Sequence, residues 1–182
     1  MDESTREYIN SWRARISNIN GDNLNALFEK FSAYYTMYNR FYNDSFRILG
    51  NQGRLTKPRY SDFEKATSLV VFYNSADDIL NSLRVNGNLA NIDIAANLIE
   101  DDIFHINLVD GTSQRGIDLQ LMQNLRSEDN EVKAQAVLSL IYNVRSNILH
   151  GEKHFDEYQR LLLEPLINLL RTIVALQEDN LS

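Results

Sequence analysis

Residues 144–153 read Val144-Arg145-Ser146-Asn147-Ile148-Leu149-His150-Gly151-Glu152-Lys153. An arginine is followed five positions on by a histidine, and a glycine comes directly after. A guanidinium grips phosphate oxygens bidentately at any physiological pH, and an imidazole is the side chain best suited to exchanging protons near neutrality. Together they make a minimal kit for cutting RNA without a metal. The cation offsets charge building up on the scissile phosphate, and the imidazole moves the proton of the 2′-hydroxyl or of the leaving oxygen.

On an unbroken helix Arg145 and His150 stand roughly 140° apart, so they do not share a face. His150 aligns with Ser139, Asn143 and Ser146/Asn147, a polar seam that on an otherwise apolar helix is ordinarily the solvated face. Arg145 falls among Leu138, Ile141 and Leu149, where its charge must escape by snorkelling or find a buried partner. Gly151 is the expected helix stop. It puts His150 in the last turn, free to swing toward the arginine or toward a second subunit.

Arg-Ser-Asn-Ile-Leu-His-Gly-Glu-Lys, preceded by Ile141-Tyr142-Asn143-Val144, resembles the Arg-x4-6-His signature of the HEPN superfamily. Those are all-helical domains, many of them metal-independent ribonucleases of toxin–antitoxin, antiviral and RNA-processing systems. The resemblance implies an all-α bundle of four to six helices and a homodimer with both motifs facing one cleft. It implies no cofactor and no metal. Arg145 and His150 become the catalytic pair, with Asn143, Ser146, Asn147 and Lys153 supporting them or holding the RNA backbone. Products would carry a cyclic 2′,3′-phosphate and a 5′-hydroxyl, and an antitoxin or effector protein would be a further partner. The position after the arginine is usually Asn, Asp or His in active members, and here it is Ser146. A toxin subclass has Tyr two residues after the histidine, where this chain has Glu152.

The rest of the chain suits a single helical domain over 1–182. At 182 residues and 43% apolar it has material for a sizeable core. Cysteine is absent, which excludes disulfides and thiolate metal sites and fits a reducing compartment. No run approaches the ~18 apolar residues of a membrane span, and Met1-Asp2-Glu3 opens no signal-peptide pattern. A cytoplasmic protein without membrane contact is expected. The net charge of −7 argues against a general nucleic-acid coat protein. Its distribution is uneven: residues 1–60 hold nine Lys/Arg and six Asp/Glu, the remainder nine and nineteen.

Taken in order, Ser4-Thr5-Arg6-Glu7 has capping-box form and opens a helix over about 5–17. Asp22 is positioned to cap the next. From Leu24 the residues Phe28, Phe31, Tyr35, Tyr38 and Tyr42 make one apolar stripe, a packed face rather than a base-stacking device; Tyr34 and Phe41 lie off its centre and suit a surface role. Arg47, Arg54, Lys57 and Arg59 concentrate positive charge at the loop after Gly50 and are candidate phosphate contacts. Ser61-Asp62-Phe63-Glu64 starts a helix expected over about 61–84, and its Asp77-Asp78 reads as solvated charge. Residues 85–127 form an irregular insertion: a turn at Asn86-Gly87-Asn88, short helices near 92–99 and 117–127, and an extended Phe104–Leu108. His105 with Glu100-Asp101-Asp102 lacks the spacing of a metal site. Ser127 or Asp129 caps the motif helix, and Pro165 should kink or restart the helix after it.

Two function classes follow. One is the metal-independent endoribonuclease for single-stranded RNA. The alternative is a non-catalytic helical domain for dimerisation or for holding RNA or protein, which Ser146 and the acidic balance favour.

Overall fold

The computed structural model describes residues 3–149 and 158–182. Among them the chain is an all-α bundle: α1 (Glu3–Ser17), α2 (Leu24–Asn51), α3 (Asp62–Ala66), α4 (Ser68–Asn74), α5 (Ala76–Val85), α6 (Leu89–Glu100), α7 (Arg115–Leu125), α8 (Asn130–Leu149) and α9 (Gln159–Leu181). The one departure is a two-residue hairpin pairing Leu108 with Ser113 and Val109 with Thr112. No described helix is long and apolar enough to cross a membrane.

The longest helix, α2, makes the centre of the fold, and α9 lies along it in the most extensive helix pairing. Its start is set by Asn23, whose side chain accepts the Ala26 N–H at 2.9 Å; the expected cap, Asp22, gives only its carbonyl, to Arg160. Its end is a Schellman turn, with Arg54 N–H on Leu49 O at 2.9 Å and Gly53 N–H on Gly50 O at 3.0 Å. Gly53 supplies the left-handed φ of +66° that the turn requires. Between these stops, Phe31, Tyr35, Tyr38 and Tyr42 are all buried. Tyr35–Tyr38 and Tyr38–Tyr42 meet edge to face, at 5.8 and 5.3 Å between ring centres. Phe41, expected at the surface, is fully buried, because α2 is covered by α9 and also by α1, α3 and α4. Tyr34 is half-buried.

The helix expected over 61–84 is three. The capping box of Ser61 and Glu64 forms as expected, but the chain breaks at Thr67 and again at Ser75, whose φ of 64° and ψ of 148° no helix accommodates. Ser75 then caps α5 by accepting the Asp78 N–H at 3.1 Å. The bends let α4 pack on α2 while α5 turns to α8 and α9.

The insertion is well built. Its two helices, α6 and α7, pack on each other, α6 also on α9 and α7 on α8. Phe104 and Ile106 point inward while His105 and Asn107 stay partly open, the alternation expected of an extended run. His105 sits 3.0 Å from the Ser113 hydroxyl and 3.8 Å from Asp102. Asp129 opens α8 by accepting Glu131 N–H at 2.8 Å and Val132 N–H at 3.1 Å.

Candidate functional site

Helix α8 carries the arginine of the motif. It packs on α5 and α7 and less extensively on α3 and α4, and its Arg145 side chain reaches Tyr35 of α2. Arg145 is half-buried there, its guanidinium carbon 5.0 Å from the centre of the Tyr35 ring. The sequence demanded an escape or a partner for this charge, and the partner is an aromatic face. Among the described residues no carboxylate pairs with Arg145. It lines a cleft of about 260 Å³ together with Ser32, Tyr35, Thr36 and Asn39 of α2.

Behind the cleft lies a cluster of phenols. Tyr42 donates to one oxygen of Asp62 at 3.0 Å, and Tyr142 donates to the other at 3.4 Å. Asn39 donates to the Tyr42 hydroxyl. Among the described residues the buried Tyr35 hydroxyl makes no well-formed hydrogen bond, and the Tyr42 phenol lies beside it. Burial drives the Tyr35 phenol well above its ordinary pKa, and Arg145 offsets only part of that. Burial, reinforced by the Asp62 charge, raises Tyr142 too. These phenols stay protonated in any physiological buffer and serve as donors and as a surface, not as bases.

The polar seam is drawn inward at Asn143 and Asn147. Asn143 donates to the side-chain oxygen of Asn107 at 2.9 Å, and buried Asn147 donates to the Ile106 carbonyl at 2.6 Å. From the far side Asp118 of α7, fully buried, accepts Ile106 N–H at 3.2 Å, Asn107 N–H at 2.8 Å and the Asn107 amide at 2.8 Å. Residues 106–107 are therefore clamped between α7 and α8. The two asparagines expected to support RNA spend their amides on this clamp. Ser146 is half-buried. His150 and Lys153 lie outside the described residues.

No family model, curated protein or solved structure matches the chain.

The basic loop is separate from the cleft but structurally tied to it. Arg47 pairs with Asp44 at 3.1 Å. Arg54 stacks over Phe72 at 4.7 Å, and Lys57 pairs with Glu64 and stacks over Tyr60 at 4.7 Å. Arg59 is exposed. The loop leads into α3, whose first residue is Asp62, the acceptor for Tyr142, three residues before Arg145. Sequence reasoning missed Ser32, Thr36 and Asn39. Their signal is a polar row at i, i+4 and i+7 running beside the aromatic stripe of α2.

Proposed function

We propose that this chain is a HEPN-like, metal-independent endoribonuclease for single-stranded RNA, in which Arg145 holds the scissile phosphate and His150 moves the protons. The observation that supports it is the state of Arg145. A half-buried guanidinium with no carboxylate partner among the described residues, resting on a ring at the mouth of a cleft, keeps its donors for an incoming anion. In the reaction the 2′-oxygen attacks phosphorus and gives up its proton. The bond to the 5′-oxygen breaks, and that oxygen takes a proton. The products are a cyclic 2′,3′-phosphate and a 5′-hydroxyl. His150 serves one or both proton transfers, and Arg145 stabilises the extra negative charge on the phosphorane-like state. DNA lacks the internal nucleophile and is expected to resist. The same resemblance implies a homodimer with both motifs on one cleft, and toxin or antiviral defence as the setting, with an antitoxin or effector as protein partner.

A second reading has a specific observation in its favour. Asn147 and Asn143 are committed to residues 106–107, which suits a domain that holds RNA or protein without cutting it. Incubation of RNA with EDTA present separates the two. Under the nuclease reading wild type cleaves, His150→Ala loses about 10²–10⁴-fold in rate, and Arg145→Ala about 10²–10³-fold. Equal background cleavage in all three folded proteins would establish the holding domain instead.

A further inference from the structure

The Arg145 cleft does not end at Ser32 and Thr36. Those two residues also line a second cleft of about 260 Å³, whose opposite wall is Trp12 and Arg15 of α1. Arg15 and Glu29 in turn line a third, of about 400 Å³, edged by the amides of Asn18, Asn20, Asn23 and Asn25. The three openings follow one another down α2 from Asn39 to Asn23, roughly 24 Å of helix at 1.5 Å per residue. That length accommodates several nucleotides of an extended strand.

The chemistry along the path is what a single strand needs. Arg15 lies over the Trp12 ring at 5.2 Å, and Tyr8 meets the same indole edge to face at 6.3 Å. Trp12 is only partly covered and Arg15 is exposed. Among the described residues Arg15 has no carboxylate partner, and Glu29 is the one acid lining this stretch. An aromatic platform beside a cation, followed by hydroxyls and amides and then by a second unpaired cation, alternates stacking with phosphate contact. An acidic peptide would use the arginines but not the indole. The acidic balance of the rest of the molecule concentrates the attraction on these few cations.

We infer that the groove between α1 and α2 is the path by which single-stranded RNA reaches Arg145, with Trp12 stacking a base and Arg15 contacting the phosphate beside it. This rests on the ribonuclease reading for what happens at Arg145, but the groove is testable without cleavage. A short fluorescein-labelled single-stranded RNA with 2′-O-methyl groups cannot be cut, so fluorescence anisotropy reads binding alone. Trp12→Leu, which keeps apolar packing, is expected to weaken binding about tenfold, the loss of one stacked base. Arg15→Gln, at an exposed position that does not endanger folding, is expected to lower the slope of log affinity against log salt by about 0.7, one counterion. Arg84→Gln on the exposed side of α5 should match wild type. Cleavage of unmodified RNA is measured alongside. That binding pattern without any cleavage in wild type supports the groove and overturns the nuclease reading. Cleavage with affinity and salt slope unchanged in both groove variants overturns the groove alone. Absence of binding by wild type overturns the groove, and the nuclease reading with it if unmodified RNA is not cleaved either.

Discussion

Asp118 offers the most demanding test of how the candidate site is held in place. Its carboxylate, fully buried, accepts three hydrogen bonds from Ile106 and Asn107, while Asn147 takes the Ile106 carbonyl from the other side. Replacing Asp118 by Ala strands the buried Ile106 N–H and leaves the part-buried Asn107 N–H without its acceptor. A stranded group costs about 1–3 kcal/mol, and the part-buried one falls at the low end, so the variant should lose about 3 kcal/mol. Native stabilities are typically 5–15 kcal/mol, which makes that a large fraction. At about 2–4 °C per kcal/mol for a chain of this size, Tm should fall roughly 10 °C. Asn147→Ala strands one carbonyl and should cost about 2 kcal/mol. Both variants loosen the same pair of residues, so the double variant should lose less than the two combined, by at least about 0.5 kcal/mol. Urea titration followed by circular dichroism measures all four proteins. Losses below 1 kcal/mol in both single variants, adding simply in the double, would refute the clamp.

The remaining expectations concern single positions. Glu64, held by Lys57 and by the Ser61 hydroxyl and N–H, has its pKa lowered to about 2 from an ordinary 4.5. A depressed acid stabilises above its unfolded pKa and stops doing so as pH falls through the folded one. Glu64→Gln should therefore be less stable than wild type at pH 6, with the gap closing between about 4.5 and about 2; a gap that stays constant across that range, in denaturation at stepped pH, excludes the contribution. Ser75→Gly relieves a residue at φ 64° and ψ 148°, a region close to glycine's own, while glycine forfeits only a few tenths of a kcal/mol as a cap. A gain of about 1 kcal/mol is expected in urea, and a loss of that size would contradict it. Tyr35→Phe removes a buried hydroxyl that makes no well-formed hydrogen bond among the described residues and keeps the ring under Arg145. Stability should stay level or rise by about 1 kcal/mol, with cleavage unchanged; a tenfold drop in rate would mean the hydroxyl itself meets substrate.

What the sequence made legible was whatever a single helix determines by itself. The stripe Phe31, Tyr35, Tyr38, Tyr42 announces its buried face through spacing alone, and Ser61 and Glu64 announce a helix start through local chemistry. The break at Ser75 was invisible, since serine ordinarily avoids positive φ and nothing nearby replaced it with glycine. Asn143 and Asn147 looked solvated because their partners, 107 and 106, are thirty-six and forty-one positions away. Phe41 looked peripheral because a helix covered on several sides has no outward face for an aromatic. The same limit governed the site. Arg145 stood out as a charge among leucines, but Tyr35 beneath it belongs to a helix more than a hundred residues earlier.

The close association of α2 with α9 bears on how the chain comes off the ribosome. The most extensive cover of α2, at 159–181, is synthesised more than a hundred residues after α2 itself. Until α9 emerges, α2 has only the helices nearer in sequence against it, leaving a sticky nascent face that chaperones or the ribosome itself must shield. Docking of α9 closes that face.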